Sequence, residues 1–330
     1  MTGARVIRGP VLYGLLGGLV VALFVLSIMI GRGGAWLPAG SGLDPAVADI
    51  ILYEVRLPRA LLGVLAGASL GLCGAALQGL LRNPLAEPGL VGASSGAALG
   101  AVIVFYFGLF GGVLAVPLGG FIGALGALLL LYLLAGRAPE AMTLILAGVA
   151  INAFAGALTS LALNLAPSPW AALEIVFWML GSIADRGMEH VMFAAPFALA
   201  GMALVTTAGG ALDALSLGQD TARSLGFSPR NTTIRVILGT GLAVGAVVSV
   251  TGMIGFVGLV VPHLLRPWVG HHPSRLLLPS ALAGAAVLLA ADILVRLPLR
   301  GPELKLGVVT ALIGAPFFLH LILKMRRIDP

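Results

Sequence analysis

Long apolar runs recur along the whole chain, and most of them have the length needed to cross a lipid bilayer. A membrane-spanning helix needs about 20 predominantly apolar residues. Ten such runs are present, at 11–30, 60–81, 91–109, 113–135, 142–164, 191–208, 232–254, 256–269, 277–295 and 306–324. They predict an all-α polytopic membrane protein with ten transmembrane helices in one domain, residues 1–330.

The composition supports a lipid environment rather than an aqueous one. Of 330 residues, 59% are hydrophobic and 10% are charged, whereas soluble domains carry about 25% charged residues. The 47 glycines suit helices that pack closely in a bilayer, because small residues let two backbones approach. Cys73 is the single cysteine, which excludes a disulfide within the chain.

Two polar segments interrupt the apolar runs. Residues 165–190 predict an exposed outer segment with a short interfacial helix at about 171–180. Residues 209–231 form the largest predicted inner loop. Its apolar residues recur near helical spacing, which predicts two short helices separated at Gly218 and ended at Gly226. This loop is either a docking element for a partner or an ordinary amphipathic linker.

The basic residues predict the orientation, because Lys and Arg concentrate on the cytoplasmic side of membrane proteins. With the N-terminus inside, twelve of the 19 basic residues fall inside and seven outside. The inner set is Arg5, Arg8, Arg82, Arg137, Arg223, Arg230, Arg235, Arg266, Arg275, Lys324, Arg326 and Arg327. The outer set is Arg32, Arg56, Arg59, Arg186, Arg296, Arg300 and Lys305. Both termini are therefore expected in the cytoplasm.

The sequence lacks the motifs of several enzyme classes. It has no Gly-x-x-x-x-Gly-Lys-[Ser/Thr] motif, so the chain is not a P-loop ATPase by itself. It also has no zinc-site spacing, no nucleophile elbow and no paired-carboxylate site. The adjacent His271 and His272 make a poor metal site, because neighbouring side chains point apart. The net charge of +6 comes without a basic run interleaved with aromatic residues, so nucleic acid is not an expected partner.

Asp292 is the one acidic residue well inside a predicted span, four residues before Arg296. Residues i and i+4 share a helix face, so a local ion pair is favoured over a proton relay. Ion-driven carriers usually hold several ionisable groups inside the membrane. Their near-absence favours a transporter that receives energy from a separate ATPase. The alternatives are an ion-coupled secondary transporter acting without an ATPase and a passive channel.

Several long stretches carry a resemblance to a known family. They are VRLPRALLGVLAGASLGLCGAALQGLLRNPLAEPGLVGASSGAALG, LGQDTARSLG, GFVGLVVPHLLR, LLPSALAGAAVLLAADILVR and ELKLGVVTALIGAPFFLHLIL. In this order they resemble the FecCD family, the permease subunits of ABC importers for iron–siderophores, haem and vitamin B12. The resemblance extends from about Arg56 to Lys324.

The resemblance implies a permease fold like that of the vitamin B12 importer, in the bacterial inner membrane. Such permeases work as homodimers with two separate ATPase subunits inside and a periplasmic substrate-binding protein outside. No cofactor is expected on this chain, since ATP and Mg belong to the ATPase. The permease itself would catalyse no bond chemistry. Residues 165–190 would be periplasmic, and residues 209–231 would be the cytoplasmic coupling loop.

The resemblance also implies roles at matching positions. Docking of the binding protein is expected at Arg56, Arg59 and Arg296, since guanidinium groups make bidentate pairs with carboxylates. The ATPase is expected to contact the coupling loop, where small residues allow close approach. The coupling residues are Gly218, Asp220, Ala222, Arg223, Leu225 and Gly226.

The stretch RNPLAEPGLVG, residues 82–92, is expected to narrow the inner end of the pathway. Its two prolines prevent a continuous helix. The expected cytoplasmic gate consists of Asn83, Pro84, Leu85, Ala141 and Met142.

The wall of the pathway is expected to include polar residues of the fifth and tenth spans. The candidates are Thr143, Asn152, Thr159, Ser160 and Thr310, and hydrogen bonding between helices is the equal alternative for each. The expected cargo is an iron–siderophore, haem or cobalamin. An iron chelate or haem is preferred because such systems are numerous in the family.

Overall fold

The computed structural model describes residues 9–31, 44–109, 111–136, 140–166, 168–297 and 303–326. Within these ranges the chain forms α-helices numbered here α1 to α14. They are Gly9–Met29, Pro45–Ile50, Leu57–Leu80, Ala93–Phe107, Ala115–Ala135, Ala141–Asn164, Pro169–Met179, Met188–Thr206, Gly209–Ser216, Gln219–Ser224, Pro229–Thr251, Val257–Leu265, Pro273–Arg296 and Leu306–Arg326. Both termini and six residues of the orientation count lie outside the described residues: Arg5, Arg8, Arg32, Arg137, Arg300 and Arg327.

A helix is present in each of the ten predicted spans. In the described part of the chain, seven helices are long and apolar enough to cross a membrane: α1, the continuous helix 46–80, α5, α6, α8, α11 and α13. Shorter apolar helices occupy the other three spans, as α4, α12 and α14. The all-helical polytopic fold is confirmed, while ten crossings and cytoplasmic termini stay predictions. The short helix predicted at about 171–180 is α7.

The second predicted span begins earlier than expected. α2 continues through a wider, π-helical turn, Ile51–Arg56, into α3. Pro58 explains the wide turn, because it has no N–H to offer the carbonyl of Glu54. The charged residues before Pro58 make this part of the helix look like a loop in the sequence.

The centre of the bundle is the pair α3 and α13, which run along each other. α11 packs against α3, α5 and α8, α4 packs against α5, and α1 packs on α13. α3 is mostly buried, whereas α1 and α6 expose most of their apolar surface. The core therefore surrounds α3, and the exposed apolar faces belong to helices at the edge of the bundle.

Glycines bring the backbones of the central helices into contact. A β-carbon on Gly67 would overlap the carbonyl group of Gly284 on α13, and one on Gly71 would overlap that of Ser280. A β-carbon on Gly74 would likewise overlap the backbone of Gly258 on α12. One face of α3 is therefore a stripe of small residues that allows two neighbouring helices to approach to backbone contact.

We expect Gly67→Ala to lower the unfolding temperature, because the added methyl group would overlap the backbone of α13. Overpacking of this kind costs about 1–3 kcal/mol. Thermal unfolding of the purified protein in detergent, followed by tryptophan fluorescence, measures the effect. Gly17→Ala on α1 is the control, since a β-carbon there meets no atom within 4 Å. Equal unfolding temperatures for the two variants would contradict the close crossing.

Candidate functional site

One end of the bundle is organised around a buried carboxylate, Asp292. It lies near the end of α13 and is fully buried. It accepts hydrogen bonds from Nε and Nη2 of Arg59 at 2.9 and 2.8 Å, and it also pairs with Arg296 one turn later. Arg59 pairs in addition with Glu303, just before α14. These four residues and the neighbouring Arg56 are called the charged cluster below.

Two arginines of the charged cluster cap the C-terminal end of α1. The last carbonyl groups of a helix have no partner within it, and the helix dipole makes this end negative. Arg296 donates to the carbonyl oxygens of Ser27 and Ile30, at 2.7 and 3.0 Å. Arg56 donates to the two carbonyl oxygens between them, at 3.0 and 2.8 Å. The charged cluster thus joins α1, α3 and α13.

The predicted ion pair between Asp292 and Arg296 is confirmed, and the three arginines are largely buried in this chain. Arg296 is 3% exposed and Arg56 is 8% exposed, and the Arg59 side chain is 11% exposed. The sequence does not reveal that Asp292 and the carbonyl end of α1 bind these guanidinium groups. This corrects the expectation of three surface arginines, and their docking role stays a prediction.

The opposite end of the bundle contains residues 82–92, called the corner below. α3 ends before it, and a 3-10 helix, Pro88–Val91, leads from it to α4. Asn83 shapes the turn, because its side-chain oxygen accepts the N–H of Leu85 at 2.9 Å. Asn83, Pro84 and Leu85 are each partly exposed. The predicted interruption of the helix is confirmed.

Asn152, in the middle of α6, binds the corner directly. Its side-chain amide donates to the carbonyl oxygen of Gly89 at 2.9 Å, and its side-chain oxygen is bonded to the Ser95 hydroxyl group. The bond to Ser95 on α4 is a hydrogen bond between helices, which is one of the two alternatives predicted for Asn152. The contacts of Asn152 also join α6 to the segment predicted to form the gate.

Two further side chains join this end of α3 and the corner to α12. The Glu87 carboxylate accepts the N–H of Phe256 at 3.3 Å, directly before α12. Gln78 donates to the carbonyl oxygen of Leu259 at 3.2 Å and accepts a hydrogen bond from Arg266. Burial raises the pKa of the Glu87 carboxyl above its ordinary value, and the N–H of Phe256 partly opposes that shift. No local sequence pattern indicates these contacts, because their partners are far apart in the chain.

The coupling loop folds into two short helices, α9 and α10, as predicted. Gly218 lies between them with φ +115°, and Gly226 follows α10 with φ +83°. Leu212 and Leu215 are buried, and Ala222 is completely buried. Ala222 therefore packs within this chain, which corrects the expectation that it lies in a groove of the ATPase.

The exposed side of α10 carries the remaining predicted coupling residues. Asp220 and Arg223 form an ion pair at 2.9 Å, with side chains 96% and 56% exposed. Leu225 is 58% exposed, and the space around Gly226 is open. These four residues, called the α10 surface below, are free to contact a partner.

Asp213 fastens the coupling loop to the centre of the bundle. Its carboxylate accepts the backbone N–H of Ser274 at 2.8 Å and also binds the Ser274 hydroxyl group. Ser274 lies in the first turn of α13, so Asp213 satisfies a free N–H at the start of that helix. No local sequence pattern indicates this role of Asp213. Through it, α9 is connected to the helix whose other end carries Asp292.

A cavity of about 460 Å³ lies between the corner, the start of α6, α10 and the start of α11. Ala141 from the predicted gate lines it, as do Arg223 and Gly226 from the α10 surface. One predicted gate residue, Ala141, is therefore a neighbour in space of the predicted coupling residues, whereas Asn83, Pro84 and Leu85 do not line this cavity. Met142 is 64% exposed and does not line this cavity.

The other candidate wall residues fall into two groups. Thr159 and Thr310 are buried, and their hydroxyl groups bond to carbonyl oxygens of their own helices, Ala155 at 2.8 Å and Gly307 at 3.1 Å. Thr143 and Ser160 are exposed on α6. In the described ranges, no three His, Cys, Asp or Glu side chains gather into a possible metal site.

The sequence as a whole matches the profile of the FecCD transport family over residues 15–324. The chain belongs to the FecCD transport family. It is therefore a membrane transport subunit of the ABC importer kind and not an enzyme. The charged cluster, the corner and the coupling loop all lie within the matched region.

Individual relatives agree with this family assignment. An uncharacterised ABC transporter permease, YvrB of Bacillus subtilis, is 40% identical over 87% of this chain and 82% of its own length. The vitamin B12 import permease BtuC of Vibrio cholerae is 39% identical over 94% and 93% of the two chains. The hemin transport permease HmuU of Yersinia pestis is 39% identical over 84% of each.

A solved structure extends the agreement to the fold. It is an inward-facing conformation of a transporter assigned to the metal-chelate type of ABC transporter. It is 33% identical to this FecCD-family chain with a TM-score of 0.84, and the match covers 96% of this chain and all of the other. The permease fold expected from the sequence is confirmed.

We expect Asp213→Ala to lower the stability of the protein, because it removes the cap from α13. Loss of a cap costs about 1 kcal/mol. Chemical denaturation of the purified protein in detergent measures the change. Asp220→Ala is the control, since an exposed ion pair contributes little. If both variants unfold at the same denaturant concentration, Asp213 does not hold α13.

We expect Glu87→Gln to raise the unfolding temperature at pH 7.5 and to leave it unchanged near pH 4. The native state raises the pKa of the Glu87 carboxyl, so native protein binds this proton more tightly than unfolded protein. Stability is therefore lost as the pH rises through the ordinary pKa of glutamate toward the raised one. Glutamine keeps an oxygen to accept the N–H of Phe256. Thermal unfolding at the two pH values measures the effect, with the exposed Glu54→Gln as control. If the unfolding temperatures of the wild-type protein and both variants change in parallel with pH, the prediction is contradicted.

Proposed function

We propose that this ABC importer permease carries an iron chelate, haem or cobalamin from the periplasm to the cytoplasm, across the bacterial inner membrane. An iron chelate or haem is our preferred cargo. The proposal is supported by the named relatives, which include vitamin B12 and hemin permeases, and by the match to a metal-chelate type transporter. These cargoes are all large metal complexes, and this shared chemistry supports the proposed class.

The observation that carries the mechanism is the shared cavity between the α10 surface and Ala141 of the predicted gate. The α10 surface is open to a partner, and it borders the same cavity as Ala141 at the start of α6. Asp213 connects α9 to α13. We infer that a separate ATPase, which holds ATP and Mg, binds the α10 surface. Movement of α9 and α10 on ATP binding then changes the width of the pathway next to the corner.

The exposed apolar faces of α6 and α14 support a homodimer. Leu146 and Phe154 on α6 are each 61% exposed, and Leu312 and Leu319 on α14 are 67% and 59% exposed. Two copies that meet along these helices would enclose a pathway between them. Apolar walls suit a bulky chelate, because a tight polar site would retain it. We infer that the two copies rock against each other and expose the pathway to each side in turn.

The charged cluster marks the end that we assign to the periplasm. A substrate-binding protein would dock there and release its cargo into the pathway. Acidic groups on such a protein suit an end that carries arginine side chains, since complementary charge steers encounter. Helix α7 lies at this end as well, since the Lys305 ammonium group, two residues after Glu303, is 6.0 Å from the centre of the Phe177 ring.

The alternative, an ion-coupled secondary transporter, has less support. It requires a carboxylate that is free to take up an ion or a proton inside the bundle. Both carboxylate oxygens of Asp292 are bonded to guanidinium groups of Arg59 and Arg296, so neither oxygen is free. A lone carboxylate between two guanidinium groups is a structural ion pair rather than a proton relay.

Reconstitution tests the proposal. The chain is purified from its native membrane with any bound ATPase, placed in liposomes, and assayed with an iron(III) hydroxamate, haemin and cyanocobalamin. We expect a stoichiometric ATPase and ATP-dependent uptake of one of the three. A chain that purifies alone and transports without ATP would overturn the ABC mechanism.

Gly226→Trp tests the docking role of the α10 surface within the same system. We expect it to abolish ATP-dependent uptake while insertion into the membrane is retained, because the side chain would block the ATPase. Gly108→Trp is the matched control, since Gly108 also has positive φ and open space but lies at the other end of the bundle. Uptake by Gly226→Trp equal to that of Gly108→Trp would exclude the α10 surface as the docking site.

A further inference from the structure

A second cavity, of about 300 Å³, lies between α7 and the pair α4 and α5, at the end of the bundle that carries the charged cluster. One wall is apolar and belongs to α4 and α5, with Phe105 and Val116 among its residues. The other wall comes from α7, the segment after it and the segment before α14. Phe177 and Trp178 of α7 add aromatic surface there. Binding sites for small molecules have this size and combine apolar walls with a few polar groups.

Four charged side chains line this cavity, two acidic and two basic: Glu174, Asp185, Arg186 and Lys305. In the part of the chain that the structure describes, none of the four forms an ion pair or a side-chain hydrogen bond. The Lys305 ammonium group instead lies near the Phe177 ring. Opposite charges that share a cavity without pairing leave room for a ligand that carries both signs.

Arg186 shows the clearest need for a partner. Its Nε is buried and has no hydrogen-bond partner among the described residues. Burial lowers the pKa of its guanidinium group, and the nearby Asp185 opposes that shift only in part. A buried N–H without a partner costs free energy, and a guanidinium group binds phosphate through two parallel N–H groups. A phosphate group in the cavity would therefore satisfy Arg186.

The surroundings of the cavity favour an amphiphile over a soluble molecule. Val113, which lines the cavity just before α5, is exposed, and so are Ile103 and Phe107 near the end of α4. Exposed apolar surface of this kind on a membrane protein is in contact with lipid. Acyl chains attached to a headgroup in the cavity can therefore continue along α4 and α5.

We propose that this cavity binds the headgroup of a phosphatidylethanolamine molecule, with its phosphate on Arg186 and Lys305 and its ammonium group on Glu174 and Asp185. A primary ammonium group has three N–H donors for the two carboxylates. A choline group has no N–H to donate, and a glycerol headgroup carries no positive charge. In the described part of the chain, α7 has no extensive packing against another helix. The bound lipid would fill the space beside α7 and hold this helix against α4 and α5.

Quenching of Trp178 fluorescence by a brominated lipid identifies the occupant directly. The protein is placed in phosphatidylcholine nanodiscs that contain phosphatidylethanolamine brominated near the start of its acyl chains. The difference between the wild-type protein and Trp178→Phe gives the Trp178 signal. We expect a far lower fraction of brominated phosphatidylethanolamine than of brominated phosphatidylcholine to quench it. Equal quenching by the two lipids would overturn the site.

Trp268, which lies between α12 and α13, is the matched control for quenching because it does not line the cavity. Its signal is the difference between the wild-type protein and Trp268→Phe. We expect the two brominated lipids to quench it equally. A preference for phosphatidylethanolamine as strong as that of Trp178 would show general enrichment around the protein and would overturn a specific site.

Charge variants test the two halves of the headgroup, with native mass spectrometry of the purified protein as the measure of bound lipid. We expect Arg186→Gln to weaken phosphatidylethanolamine binding about tenfold, as for loss of one hydrogen bond to a charged group. Arg275→Gln, exposed at the start of α13, is the control. Equal binding by these two variants would overturn the role of Arg186.

The ammonium half of the headgroup is tested by the double variant Glu174→Gln and Asp185→Asn. Asparagine tolerates the positive φ of residue 185, so the backbone is retained. We expect the double variant to lose the preference for phosphatidylethanolamine over phosphatidylglycerol, because both carboxylates are gone. An unchanged preference would overturn the assignment of the ammonium group.

A soluble headgroup distinguishes a lipid from a small zwitterion. Glycerophosphoethanolamine carries the same two charges without acyl chains. We expect a large excess of it to leave Trp178 quenched by brominated phosphatidylethanolamine, since the acyl chains hold the lipid in place. Complete recovery of the fluorescence would make a soluble zwitterion the ligand and overturn the lipid. These measurements need no ATP, ATPase or cargo, so their outcome is independent of the proposed transport function.

Discussion

Backbone contact between α3 and α13 is the constraint on which the rest of the structure depends. Gly67 and Gly71 allow it, since a β-carbon at either position would overlap the opposing helix. In lipid, helices gain little from burying apolar surface against each other, so close packing must supply the attraction. Once the two helices are fixed side by side, their ends define two surfaces, and those surfaces carry the two regions proposed to bind partners.

The two regions are built from the same central helix. At one end of α13, Asp213 satisfies an N–H of the first turn and attaches the coupling loop. At the other end, Asp292 and Arg296 attach α3 and α1. A rigid helix with a bonded group at each end is a physical connection between the surface proposed for the ATPase and the surface proposed for the binding protein. The corner is joined to the same frame through Asn152 and Glu87.

Local sequence patterns predicted those features that depend only on residues close together in the chain. The separation of Asp292 and Arg296 by four residues predicted their ion pair, because that spacing is set by the helix itself. The glycines and apolar spacing of residues 209–231 predicted two short helices for the same reason. Prediction failed where a partner distant in the sequence decides whether a side chain is exposed. Ala222 is buried by its own chain. Arg56 and Arg296 turn inward to the carbonyl end of α1. Glu303 and Asp213 gave no local signal, since their partners lie 244 and 61 residues away.

The amino-acid sequence by itself determined that this protein lies in lipid, which of its segments form helices, and to which family it belongs. Apolar length sets which segments can cross a bilayer, because every backbone polar group there must be satisfied within a helix. Tertiary structure decided which charged side chains are available to partners. A guanidinium group binds whichever carboxylate or free carbonyl the fold places beside it, and only packed helices bring Asp292, Glu303 and the end of α1 around Arg59, Arg56 and Arg296.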